Sequence, residues 1–307
     1  MNSAKVGRSQ SANAYQRAVA IEPQYTDAMF DLGVTQYNQG QYTEAAATYK
    51  KVVETEPTYG DAQLNLAESY RQLEQYEKAN SQYDVAEDYV KDDPDLYTSW
   101  GYCLGKVEKW DRAAERLNTA VELKPDAVDY SNLGWAYYNG AQADINAGRQ
   151  ADAGAKLASG KEALTKATEA DPNLPSSFLN LGATLNGLGE FEAGVAALVR
   201  ATQLRGDWVP ALNELGVAYR QLGRLGEAIA QFQRAVDLND KFARGLYNLG
   251  EAQFASGNKK EAEKTLKRLK KIDPVMAKGL DNVIEGKIKQ KINENNPLRK
   301  LPRIPFE

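Results

Sequence analysis

Along most of the chain, apolar residues recur at three- and four-residue steps in short runs, and a polar or glycine-bearing stretch breaks each run. That spacing puts the apolar side chains on one face of a 3.6-residue helix, so the pattern predicts short amphipathic helices joined by tight turns. The runs come in pairs, and the pair repeats. Each unit carries a large residue followed by Gly, a small residue twelve places after the Gly, a ring or Leu four further on, and often a Pro eight beyond that. Units begin at Thr26, Gly60, Pro94, Ala127, Pro175, Val209 and Ala243, mostly 34 residues apart. The Gly is Gly33, Gly101, Gly134, Gly182, Gly216 or Gly250, and only Ala67 departs from it. The later small residue is Ala45, Ala79, Ala113, Gly160, Gly194, Ala228 or Ala262; the ring or Leu is Tyr49, Tyr83, Leu117, Leu164, Leu198, Phe232 or Leu266.

Turn signals such as Asn38-Gln39-Gly40, Gly187-Leu188-Gly189 and Gly223 divide units in the middle. Pro57, Pro125, Pro172 and Pro274 close four of them, because Pro cannot continue a helical ladder. A single helix pair cannot bury its apolar face. Stacked pairs share a continuous core, which predicts an all-α, right-handed solenoid with an extended inner surface.

Held over seven units, these residues resemble the tetratricopeptide repeat family, from about Ser11 to Ala277. The organisation expected is a partial repeat helix over 11–25, seven repeats over 26–274, a capping helix over 275–293 and a basic, Pro-containing tail over 294–307. Tyr15, Ala18 and Pro23 match only the second half of a unit. That leaves room for residues before Met1, a targeting segment among them, and keeps cytoplasm and bacterial periplasm open as compartments.

Two regions break the pattern. The fourth unit takes 26 steps from Gly134 to Gly160 where the others take 12, and the extra residues contain no Pro. This predicts that both its helices lengthen by about two turns. The lengthened pair should project beyond the edge of the solenoid, either as a docking or dimerisation protrusion or as a plain surface extension; the Ala-rich insert lacks the large apolar anchors of an interface core, which favours the extension. At the other end, residues 258–307 carry 14 Lys or Arg against 7 Asp or Glu, while the first 257 carry 24 against 35. Met276, Leu280, Val283, Ile284, Ile288 and Ile292 form the apolar stripe of the expected cap. Behind it, Arg299-x-x-Pro302-x-x-Pro305 fits a short proline-rich ligand pattern. The tail is a candidate contact for an acidic protein surface or anionic lipid, whereas the acidic body disfavours nucleic acid.

Composition narrows the chemistry. The chain has no histidine, which removes Ser-His-Asp and Cys-His nucleophile pairs, His-Glu-x-x-His zinc sites and imidazole acid–base catalysis. One cysteine, Cys103, forms no intrachain disulfide and reads as a packed thiol. Gly154 and Gly160-Lys161 do not have phosphate-loop spacing, and Asp92-Asp93 reads as a junction turn. No catalytic constellation, metal set or cofactor motif emerges, and the chain reads as a non-enzyme.

The informative positions are the sixth places of the first helices: Asp31, Asn65, Ser99, Asn132, Asn180, Glu214 and Asn248. In tetratricopeptide proteins this place commonly faces the groove, so the resemblance implies that Asn65, Asn132, Asn180 and Asn248 hold a ligand's main chain. An amide offers both a donor and an acceptor, which suits a peptide backbone whatever its side chains. The other reading of the row is that these amides bond neighbouring helices. Steps of three and four from the row put Phe30, Tyr37, Arg71, Tyr102, Trp135, Tyr138, Asn213, Arg220, Tyr247 and Phe254 on the same wall. Of these, Trp135, Tyr102, Tyr138 and Tyr247 are the expected side-chain anchors, since rings and Arg dominate interface energetics. The function expected is a scaffold that binds an extended peptide or a partner's helix. Self-assembly through the tail or the open N-terminal half unit, and service as the regulatory arm of a longer enzyme, are the alternatives.

Overall fold

Glycine at the centre of each unit lets two helices touch. A Cβ at Gly33 would lie 2.6 Å from the Tyr49 ring, one at Gly101 2.5 Å from Leu117 Cγ, and one at Gly216 2.5 Å from Phe232. The Leu-Gly pair and the ring or Leu sixteen places on are thus the two halves of one contact, which is why they recur together. The computed structural model describes Ala14, Tyr15, Arg17, Ala18, residues 20–22 and residues 25–286, which are helical throughout except at the turns.

They fall into two compact units, up to Pro125 and from Asp126 onward. The first holds α1 (Thr26–Asn38), α2 (Tyr42–Thr55), α3 (Gly60–Gln72), α4 (Tyr76–Val90), α5 (Pro94–Lys106) and α6 (Trp110–Leu123). The second holds α7 (Ala127–Asn146), α8 (Gln150–Ala170), α9 (Pro175–Leu188), α10 (Phe191–Leu204), α11 (Val209–Gln221), α12 (Leu225–Leu238), α13 (Ala243–Ala255), α14 (Lys259–Lys270) and α15 (Pro274–Ile284). Within each unit, odd-numbered helices pack on the next odd helix and form one wall; even-numbered helices back them. The turns between paired helices use left-handed residues at Gly40, Gly148, Gly189, Gly223 and Gly257, and at Glu74 and Glu108 where no glycine is present.

Tyr83 and Trp100 stack at 6.4 Å in the first unit, and the Arg116 guanidinium lies 4.0 Å above the Trp100 ring. In the second, Phe232, Leu246, Leu249, Leu266, Leu280 and Ile284 form one core cluster. Each such side chain contributes about 1.5–3 kcal/mol relative to an exposed one.

The lengthened pair has 20 and 21 residues in α7 and α8, against 13 and 14 in α11 and α12. Its added turns close on themselves: Ala141, Ala153 and Leu157 are buried, and the buried Asp144 carboxylate meets Lys156 Nζ at 2.7 Å and Arg149 Nε at 2.8 Å. At the C-terminal end, Gly250 faces Leu280 of α15 rather than Leu266, so the last helix supplies the contact its own repeat does not. Pro274 opens α15 instead of ending α14. Helix α15 stops at Ile284, before left-handed Gly286. The rest of the expected cap, Ile288 and Ile292 with it, and the whole basic tail lie outside the described residues, as does much of the expected 11–25 helix.

Candidate binding wall

Sixth-place residues of adjacent first helices meet at a cleft in each unit. In the first, Asn65 of α3 and Ser99 of α5 line a cavity of about 420 Å³ together with Leu64, Glu68, Asp93, Asp95, Leu96 and Thr98. Its lining is acidic, and part of that charge is engaged. Glu68 pairs with Arg71 at 2.7 Å and accepts from the Tyr83 hydroxyl, and Asp93 caps α5 by accepting the Asp95 N–H at 2.9 Å. Arg71 is therefore committed within the fold. Burial acts to lower its pKa, yet the Glu68 hydrogen bond and charge raise it on balance.

In the second unit, Asn132 of α7 and Asn180 of α9 line a narrower cleft of about 50 Å³ with Val128, Ser131, Trp135, Leu174 and Ser176. Val128, Ser131, Asn132 and Trp135 are one helical stripe, which places them on one face. Helix α9 starts with Pro175 at its first position, and its N-cap, Leu174, has no side-chain oxygen to cap the first turn. Asn180 is 4% exposed, and its Oδ1 has no hydrogen-bond partner. A buried acceptor without a donor costs about 1–3 kcal/mol.

Further along, the row does something else. Asn248 is 8% exposed and donates to Asn213 Oδ1 at 2.9 Å, joining α13 to α11. Asn248, expected to grip a ligand, gives an amide N–H to an inter-helix bond. At the sixth place of α11, Glu214 is buried, accepts from Asn213 Nδ2 at 3.2 Å and lies beside Asn186, which donates to the Glu214 carbonyl at 3.1 Å. Burial raises the Glu214 carboxyl above its usual range, against the lowering influence of Arg244, Asn186, Asn213 and Arg220.

The other expected anchors divide. Trp135 lines the narrow cleft. Tyr102 is half-buried, edge-on to Tyr76 at 6.0 Å, with Lys106 Nζ 5.7 Å from its ring. Phe30 stacks on Tyr59 at 4.9 Å, and Tyr247 packs against the last core cluster. Arg220 pairs with Glu251 across α11 and α13. Tyr138 is corrected: it is 0% exposed, because α7 runs on past it with buried Asn139, Gly140, Ala141 and Gln142. It is part of the interior and presents no surface. Ser131, Ser176, Val128 and Leu174 were not foreseen. Val128 stands four residues before Asn132 and Ser176 four before Asn180, so helical spacing carried that signal; Leu174 belongs to a turn and gave none.

Cys103 is buried, and burial pushes its thiol up to about 12, which suits a packed side chain. Among the described residues there is no group of three or more metal-ligating Cys, Asp or Glu side chains, and no helix is long and apolar enough to cross a membrane.

Antiparallel helix pairs, joined through Gly-to-ring contacts and stacked into walls, define an all-α helical-repeat protein. Family models described as tetratricopeptide repeat match residues 7–59, 37–99 and 244–274, and one described as TPR repeat matches 216–257. The chain is a tetratricopeptide repeat protein. Its fold is similar to that of a chain in the APC/C hetero-tetramer Cut9-Hcn1, at 15% identity and a TM-score of 0.60 over 89% of this chain and 52% of that one. It is similar to PilW, a type IV pilus biogenesis factor, at 22% identity and 0.59 over 73% of this chain and 98% of that one. The C-terminal part of a TPR repeat-containing protein from Cytophaga hutchinsonii gives 16% and 0.59 over 83% and 99%. The chain spans about half the length of the first of these. No curated protein matches its sequence.

Proposed function

We propose that this chain is a protein-interaction scaffold that holds an extended peptide, or a partner's helix, against its first-helix walls, and that it binds rather than catalyses. One observation carries the reading: in both units the sixth-place residues of neighbouring first helices, Asn65 with Ser99 and Asn132 with Asn180, line a cleft. One protein similar in fold belongs to the APC/C hetero-tetramer Cut9-Hcn1, which accords with a scaffold. A few hydrogen bonds of about 1 kcal/mol each, plus ring contacts and less the ordering of a flexible ligand, give affinities on the order of micromolar.

The test is capture of partners by the full chain, identified by crosslinking mass spectrometry, beside a chain with Asn65, Asn132 and Asn180 all changed to Ala. The reading expects the variant to keep its helical content and lose the crosslinked partners. Unchanged recovery by a folded variant contradicts it.

A further inference from the structure

Charge gathers at the corner where α14 turns into α15 through residues 271–273. From Lys259 to Lys271, seven Lys or Arg stand against two Glu. Two of these cations are engaged: Lys264 pairs with Glu261 at 2.7 Å and Lys270 with Asp281 at 2.8 Å. Lys267, Arg268 and Lys271 are exposed and pair with no carboxylate among the described residues. Basic residues in the last turn of α14 complement the negative end of its dipole, which accounts for some of this charge. It does not account for the aliphatic side chains set among it. Val275, in the first turn of α15, is 85% exposed, and Ile272, in the turn itself, is 37% exposed, while Leu269 and Leu280 beside them are buried. Apolar surface left in water is unfavourable, so two such side chains at one cationic corner mark a surface that meets something both anionic and apolar.

The residue types choose among the anionic partners. Protein interfaces are enriched in Arg and rings and depleted in Lys, whereas Lys267, Lys270, Lys271 and Lys278 outnumber Arg268 here, and no aromatic residue lies between Lys264 and Lys278. A corner without rings also offers single-stranded nucleic acid no stacking platform, and phosphate contacts alone leave Ile272 and Val275 unused. A lipid surface uses both kinds of residue. Aliphatic tips enter its acyl boundary while lysine stems reach back to the headgroups, and no fixed shape is required.

We propose that the α14–α15 corner docks this chain on an anionic phospholipid surface, with Ile272 and Val275 entering the headgroup boundary and Lys267, Arg268 and Lys271 meeting lipid phosphates. The corner shares no residue with either cleft, so this inference stands or falls apart from the scaffold reading. The probe is the full chain sedimented with vesicles of phosphatidylcholine alone, or of equal parts phosphatidylcholine and phosphatidylglycerol. The chain should pellet with the anionic vesicles only, and raising salt from about 0.05 M to about 0.5 M should release it. Lys267→Gln combined with Lys271→Gln should weaken binding by about tenfold or more, and Val275→Ser by about threefold or more. All three positions are exposed and both variants keep the basic tail, so binding that neither variant weakens belongs to another part of the chain and overturns the proposal. A polarity-sensitive dye attached at Val275→Cys separates insertion from charge alone, because Cys103 is buried and stays unlabelled. Its emission should shift to the blue on anionic vesicles and stay unchanged on heparin, a polyanion without acyl chains. No binding to anionic vesicles, equal binding to neutral ones, or a dye that responds to heparin as it does to vesicles, or to neither, overturns the proposal. The dye reading decides the matter even if the lysine variant does not fold.

Discussion

At the scale of single residues, the repeat is a set of contacts that leave no room for a methyl group. Gly216 faces the fully buried Phe232 at 2.5 Å from where a Cβ would stand. Gly216→Ala must therefore displace a ring in a packed core and should destabilise the chain by about 1–3 kcal/mol, read as a lower urea midpoint with an unchanged slope. Glu214 makes a second prediction. Burial raises its folded pKa, so the native chain holds that proton more tightly than the unfolded chain does. Stability is then greatest below the ordinary carboxyl range and falls as pH rises from that range through the raised folded value. Glu214→Gln removes the loss: it should melt higher than the parent at pH 7.5, with the difference shrinking toward pH 4, as followed by circular dichroism. The glycine contacts were legible because spacing alone brings Gly and ring together. The fate of the amides was not. Sequence places Asn248 on the right face, but whether its amide meets a ligand or a neighbour depends on Asn213, which reaches it from the next first helix.

At the scale of elements, the lengthened pair α7 and α8 is the clearest departure. Its length followed from counting, since 14 added residues without Pro leave two helices of seven more each. What fastens its tip did not, because Asp144 stands before the Gly148 turn and Arg149 and Lys156 after it, so no single helix's period brings the three together. Burial alone would raise the Asp144 carboxyl, but hydrogen bonds and charge from Lys156 and Arg149 outweigh it and hold it below its usual value. That contribution is present above the ordinary carboxyl range and is lost as pH falls through the lowered folded value. Asp144→Asn should loosen the tip at neutral pH, since it leaves two cations facing a neutral buried amide. Hydrogen exchange should accelerate over residues 141–157 while α11 to α13 keep their protection. Uniform acceleration throughout the second unit would mean that the triad does more than fasten the tip.

At the scale of the molecule, the two units carry the same device with different chemistry. The first has a roomy cleft with Glu68, Asp93 and Asp95 around Asn65; the second has a tight, uncharged one between Asn132 and Asn180. Under the proposed function, a peptide held along such walls would gain main-chain bonds at the sixth places and selectivity from what surrounds them. The most direct measurement is the set of asparagine side-chain amide signals in an isotope-labelled chain, recorded by NMR before and after addition of a captured partner peptide. The account predicts shifts and slowed exchange at Asn65, Asn132 or Asn180, with Asn213 and Asn248 unmoved because they already bond one another. Perturbation confined to the even-numbered helices, with all three cleft amides silent, would contradict it.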